Sequence, residues 1–124
     1  MSKKILIVED EQYLRELYEE IIKDEGFAVD TAKDGWEGYS AMSKGGYDLV
    51  LLDIMLPKLD GLEILQKLKK AGLPKKANKK VVILTNLSKD LAIAHGLELG
   101  CDGYLIKSDL TPDQVIKSVK GFLE

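Results

Sequence analysis

Continuous apolar runs and amphipathic stretches alternate along the chain. Ile5-Leu6-Ile7-Val8, Leu49-Val50-Leu51-Leu52, Val81-Val82-Ile83-Leu84 and Tyr104-Leu105-Ile106 lack polar alternation, the pattern of strands buried on both faces of a parallel sheet. Ala28 to Ala32 supplies a further strand. Between the strands, Leu14, Leu17, Tyr18, Ile21 and Ile22 recur at helical spacing, and Gly26 ends that helix. Asp34 with Glu37 three residues on forms a capping pattern for a helix containing Trp36 and Tyr39, stopped by Gly45-Gly46. Leu62, Leu65 and Leu68 mark a third helix opening near Asp60-Gly61 and closed by Gly72-Leu73-Pro74. Ser88 caps a fourth running to about Gly100. Thr111-Pro112-Asp113-Gln114 joins an N-cap, a proline at the first helical position and a box-closing Gln ahead of the stripe Val115, Ile116, Val119 and Phe122. Five βα units predict an α/β fold: a flavodoxin-like, doubly wound, five-stranded parallel sheet of order 2-1-3-4-5 with helices on both faces, forming one domain over 1–124.

Composition narrows the classes. With 124 residues, 45% hydrophobic and 31% charged, the chain is long enough to bury a core without disulfide or metal support. Its 18 basic and 21 acidic residues leave a net charge of −3, too little positive field for direct nucleic-acid binding. The Lys75-Lys76 and Lys79-Lys80 cluster lacks aromatic interleaving and reads as a solvated loop. Cys101 is the only cysteine, so it forms no intrachain disulfide, packs as a small apolar residue and suits a reducing compartment. The apolar run behind Met1-Ser2-Lys3-Lys4 is too short for a signal peptide, and no stretch reaches membrane-spanning length. A cytoplasmic location with no membrane partner is the expectation.

Candidate chemistry gathers where strands end. Glu9, Asp10 and Asp53 close the first and third runs, Thr85 follows the fourth and Lys107 the fifth. In open α/β sheets that carboxyl edge carries the ligand site. Clustered carboxylates repel one another unless a cation or a proton intervenes, so oxygen donors with one fixed positive charge suit a hard divalent ion and a phosphoryl group. Taken singly, each residue has a plainer reading. Asp53 could form a turn, Thr85 could cap the next helix, Lys107 could be a surface charge, and Tyr104 could be a core aromatic with its hydroxyl at the rim. Pro57 and Gly61 read as loop-shaping, Trp36 as helix packing and His95 as an ordinary helix residue without partner ligands.

The stretches Val8-Glu9-Asp10-Glu11, Asp53-Ile54-Met55-Leu56-Pro57-Lys58-Leu59-Asp60-Gly61, Leu84-Thr85-Asn86 and Gly100-Cys101-Asp102-Gly103-Tyr104-Leu105-Ile106-Lys107 stand in order, each at a strand end. In this the whole chain resembles the receiver domain of two-component response regulators, the single-domain chemotaxis-regulator type in particular. The resemblance implies Asp53 as phosphoacceptor and Mg²⁺ as cofactor, with Mn²⁺ able to stand in. Asp10, Asp53 and the main-chain carbonyl of Met55 would be its protein ligands, and Glu9 would act directly or through water. Lys107 would contact Asp53 before reaction and the phosphoryl group afterwards, and Thr85 would donate to another phosphoryl oxygen. Tyr104 would turn inward and remodel the face of the fourth helix, fifth strand and fifth helix. The implied partners are a histidine kinase or phosphotransfer protein, a downstream protein reader and a phosphorylation-linked homodimer, with no external substrate turned over.

Three departures from that pattern carry consequences. Ser108 stands where the family usually has a proline after a cis bond, and a cis bond before a non-proline residue costs roughly 2.5–4 kcal/mol, so a trans Lys107-Ser108 bond and a shifted path into the last helix are expected. Asn86 replaces a small residue beside the phosphoryl pocket. Met55 and Leu87, which flank that pocket, are apolar and orient no attacking water, which points to a long-lived phosphoryl group. Three rivals compete. A haloacid-dehalogenase-like phosphohydrolase needs a second Asp where Met55 stands, and a flavin carrier would have its phosphate repelled by Glu9-Asp10-Glu11. A receiver-like docking module that never accepts phosphate is the third.

Overall fold

The apolar runs can satisfy their backbone groups and bury both faces only inside a sheet, and they do so in strict alternation with helices. A computed structural model of the chain describes residues 3–71, 78–86 and 90–124, with the side chains of 90–92 and 109 outside that description. In chain order the elements are β1 (Lys4–Val8), α1 (Gln12–Asp24), β2 (Ala28–Ala32), α2 (Gly35–Lys44), β3 (Leu49–Leu52), α3 (Gly61–Lys70), β4 (Val81–Thr85), α4 (Asp90–Glu98), β5 (Gly103–Ile106) and α5 (Pro112–Leu123). All pairings are parallel and the strand order is β2-β1-β3-β4-β5, as the sequence pattern predicts.

Within each central strand, successive side chains go to opposite layers. Leu6, Val8, Val50, Leu52, Val81 and Ile83 pack with Met42 of α2 and with Ile64 and Leu65 of α3. Ile5, Ile7, Leu49, Leu51, Val82 and Leu84 pack with Tyr18 and Ile22 of α1 and with Val115 and Val119 of α5. β2 is the edge strand, and of its five residues only Ala32 is fully buried.

Helix ends follow the expected signals. The Asp34 carboxylate accepts from the Glu37 N–H at 2.9 Å, although the Glu37 carboxylate turns to the Lys33 N–H instead of closing a box. Full capping boxes open α3, through Asp60 and Glu63, and α5, through Thr111 and Gln114. Gly26, Gly45 and Gly100 adopt positive φ just past α1, α2 and α4. Ser88 and the Gly72-Leu73-Pro74 stop, like Lys75-Lys76 and Leu87, lie outside the described residues.

One plainer reading, that of Tyr104, needs correction, and two others gain detail. Trp36 packs at the helix surface: it is half exposed on the outer side of α2, edge-on to Tyr39, with the Lys67 ammonium of α3 5.4 Å from its ring centroid. Tyr104 is not a core aromatic, because β5 is the other edge strand and turns this ring outward, leaving it 47% exposed. Lys107 begins a 3-10 turn over Lys107–Asp109, and its bond to Ser108 is trans, as expected for a non-proline residue there.

Gly35, the first residue of α2, lies against the loop after β3. A Cβ there would fall 1.6 Å from the Leu59 carbonyl oxygen, a main-chain atom that cannot swing aside. We expect Gly35→Ala to cost roughly 2–3 kcal/mol of stability through overpacking. Gly121→Ala in α5 meets nothing within 4 Å and should stabilise the protein by about 0.5–1 kcal/mol through helix propensity. Urea denaturation of both variants checks this, and equal midpoints would contradict the close approach.

Candidate functional site

The topology reverses at β1, which pairs with β2 on one side and β3 on the other, so a crevice opens beyond the carboxyl ends of β1 and β3. Val8 pairs with Leu52, and the Asp53 N–H donates to the Val8 carbonyl at 3.0 Å. Glu9 and Asp53 therefore leave the sheet side by side. Both are buried, Glu9 at 1% and Asp53 at 5% exposure, while Asp10 points outward. Glu9, Asp10 and Asp53 each offer a carboxylate oxygen, and the three lie within 4.8 Å of one another.

The Lys107 side chain, only 7% exposed, answers this charge. Its ammonium donates to Asp53 Oδ2 at 2.9 Å and makes a short ion pair with Glu9 Oε1. Burial alone would lower the Lys107 pKa, but the hydrogen bonds and charges of Glu9 and Asp53 outweigh it and hold the value above that of a free lysine. Lys107 stays charged at neutral pH. At Asp10, partial burial and then the Glu9 carboxyl push the carboxyl above its usual range, against a weaker pull from Lys107. One ammonium does not cancel three carboxylates, and the set is all hard oxygen, which fits a small divalent cation such as Mg²⁺.

The loop after β3 fixes the other side of Asp53. Its Oδ1 accepts from the Met55 N–H at 3.1 Å. The loop is tied by Leu56 N–H to the Ile54 carbonyl, Leu59 N–H to the Pro57 carbonyl and Gly61 N–H to the Ile54 carbonyl. At Gly61 a Cβ would lie 2.4 Å from the Asp53 carbonyl oxygen, so only glycine lets α3 start this close to Asp53. Lys58 takes a positive φ of 69°, an unusual backbone for a side-chain-bearing residue, and reaches the buried Asp34 carboxylate at 3.4 Å.

Together Asp10, Glu11, Asp53, Met55, Thr85, Asn86 and Lys107 line an open cavity of about 330 Å³. The structure thus brings the expected residues to one place: Thr85 is buried at the end of β4, Asn86 is at the rim, and the Met55 side chain is exposed at the mouth. Leu87 lies outside the described residues and Tyr104 faces solvent on β5, outside the cavity lining. A second cavity of similar volume lies beyond Lys107 and Asn86, lined by Leu14, Leu17, Tyr18, Ser108, Leu110, Pro112 and Val115 as well.

Sequence reasoning missed two neighbours of the site. Arg15, five residues past Asp10 on α1, donates from Nη1 to the carbonyls of Glu9 and Asp10. Tyr18 is buried at 5% exposure beside Lys107, burial raising its phenol pKa and the ammonium opposing it. Their signals were a basic residue one turn inside a helix and a hydroxyl on an otherwise aliphatic stripe.

Comparisons with known proteins agree with this geometry. Residues 5–120 match the family model described as response regulator receiver domain. The chain is 41% identical over 104 residues to the transcriptional regulatory protein DltR of Streptococcus agalactiae, covering 84% of this chain and 45% of that protein. It is 36% identical over 120 residues to the regulatory protein VanRc of Enterococcus gallinarum, covering 97% and 49%. It spans about half the length of these curated relatives. Among solved structures, the response regulator TrrA of Thermotoga maritima in complex with Mg²⁺ and BeF is similar at 36% identity and a TM-score of 0.80, with 98% of this chain and 99% of that one covered. A CheY-like receiver domain protein from Methanospirillum hungatei matches at 28% identity and a TM-score of 0.86, covering 99% and 94%. With a family model matched over residues 5–120 and relatives of this identity, the chain belongs to the response regulator receiver domain family.

Proposed function

We propose that the chain is a phosphorylation-controlled signalling switch in which Asp53 accepts a phosphoryl group from a histidine kinase or phosphotransfer protein. The observation that carries this reading is the buried Lys107 ammonium shared between Asp53 and Glu9 beside an exposed Asp10. Phosphoryl transfer through a loose transition state asks for positioning and charge neutralisation rather than covalent help. An Asp53 oxygen forms the new O–P bond as the N–P bond of the donor phosphohistidine breaks; the imidazole keeps the electron pair and is protonated from solvent. Met55 N–H and Lys107 hold the carboxylate in place for that attack. When bound, Mg²⁺ would neutralise charge between the carboxylates and the phosphoryl oxygens, held by Asp10, Asp53 and the Met55 carbonyl with Glu9 direct or through water.

Lys107 then shifts its donation from Asp53 to a phosphoryl oxygen, and the Thr85 hydroxyl donates to another. Both contacts exist only with phosphate present, so they bias a two-state equilibrium toward a conformation in which Tyr104 turns inward from its exposed position. A protein reader, or a second copy of the chain, would recognise the altered face of α4, β5 and α5. The name transcriptional regulatory protein belongs to relatives about twice as long, so contact with nucleic acid by a whole protein is compatible with a charge of −3 on this span. The absence of an acid at Met55 argues against the phosphohydrolase reading, and the acidic turn after β1 against a flavin phosphate. Among the described residues no helix is long and apolar enough to cross a membrane.

With Mg²⁺ and acetyl phosphate, intact-mass measurement should find one added phosphoryl group on the wild type and none on Asp53→Asn. A wild type that stays unmodified would leave only the docking-module reading. Mg²⁺ at 100 times its Kd should stabilise the wild type by about 2.7 kcal/mol by binding the folded state alone. Asp10→Asn should lose most of that gain in a thermal melt. Because the Met55 side chain is apolar, phosphate release should take minutes or longer, and a lifetime of seconds in a phosphate-loss time course would contradict it.

A further inference from the structure

The turn carrying two of the three carboxylates is held by a side chain outside the cavity. Arg15 Nη1 lies 3.0 Å from the Glu9 carbonyl oxygen and 3.2 Å from that of Asp10. Consecutive carbonyls of an extended strand point to opposite sides, so two that reach one nitrogen mark the place where the chain leaves β1 and bends into α1. The terminal guanidinium nitrogen carries two hydrogens, one for each carbonyl.

Other support for this turn is thin. Glu11 is the N-cap of α1 but makes no side-chain cap hydrogen bond, and the first turn of the helix holds no acidic residue. The Glu11 N–H instead donates to Glu9 Oε2 at 3.2 Å. That contact ties the turn to the same carboxylate that pairs with Lys107. Any ligand that draws the Glu9 carboxylate away removes the tie, whereas the Arg15 contacts go to main-chain oxygens and persist.

We infer that Arg15 is a positioning residue: by clamping the main chain of Glu9 and Asp10 it holds their carboxylates convergent with Asp53 for the cation and the phosphoryl group. The inference rests on the function proposed above. Two roles for Arg15 predict opposite signs. A guanidinium acting only as a nearby positive charge repels a divalent cation, so its removal tightens Mg²⁺ binding. A clamp that orients the ligands favours binding, so its removal weakens it.

The test is calorimetric titration of Mg²⁺ into wild type, Arg15→Met, Arg15→Lys and Tyr47→Phe, with folding checked by circular dichroism. Tyr47 donates its hydroxyl to Asp30, away from the cavity lining, and controls for the loss of an unrelated hydrogen bond. Arg15→Met should weaken Mg²⁺ about tenfold, within the range for groups that orient metal ligands. Arg15→Lys keeps the charge, but its ammonium ends one atom short of Nη1 and cannot reach both carbonyls as well, so it should fall between; Tyr47→Phe should match wild type. Wild-type or tighter affinity in Arg15→Met overturns the inference while leaving the proposed function intact. If Arg15→Met does not fold, Arg15→Lys decides: weaker binding supports the clamp and wild-type affinity overturns it. A wild type that binds no Mg²⁺ overturns the proposed function and this inference with it.

Discussion

The contact between Lys107 and the two buried carboxylates is what makes the acidic crevice tolerable in a folded protein. Glu9 and Asp53 leave neighbouring strands with almost no access to water, and like charges so placed would repel strongly at low local dielectric. The ammonium that relieves them comes from the far end of the chain, 98 residues after Glu9. The site is therefore a product of the completed sheet: β4 and β5 must dock before charge balance exists. Even then the balance is incomplete, with one ammonium shared among three carboxylates and the Arg15 guanidinium held on main-chain oxygens, and the remaining negative potential would favour a divalent ion.

Backbone geometry does as much as charge. Asp53 is held between Lys107 on one oxygen and the Met55 N–H on the other, and that N–H belongs to a loop braced by its own hydrogen bonds and by two glycine contacts. Gly61 lets α3 begin against the Asp53 carbonyl, and Gly35 lets α2 rest on Leu59. The positive φ at Lys58 is tolerated within this frame, where its ammonium reaches the Asp34 cap of α2. Asp53 is thus mechanically joined to two helices on one face of the sheet and, through Lys107, to the turn before α5, while Arg15 joins the neighbouring Glu9-Asp10 turn to α1.

Much of this was legible in the sequence because its signals are local. Uninterrupted runs such as Leu49–Leu52 announce buried parallel strands, and Thr111-Pro112-Asp113-Gln114 announces a helix start from four residues alone. The gathering of Glu9, Asp10, Asp53, Thr85 and Lys107 followed from the rule that strand ends share an edge. What escaped was set by which side of an element a residue takes. Tyr104 follows a buried pattern but sits on an edge strand. Arg15 was silent because its partners are main-chain oxygens, which leave no mark in residue types.

The placement of Trp36 governs how the protein reports on itself optically. It is the sole tryptophan, at the seam of α2 and α3 with Lys67 over its ring, and it is no part of the cavity lining. Its ultraviolet emission is therefore a gauge of water and lysine proximity at that seam, and ion or phosphoryl occupancy would reach it only through movement of the two helices. A fluorophore placed at the crevice mouth, where the Met55 side chain already stands in solvent, would sense occupancy directly.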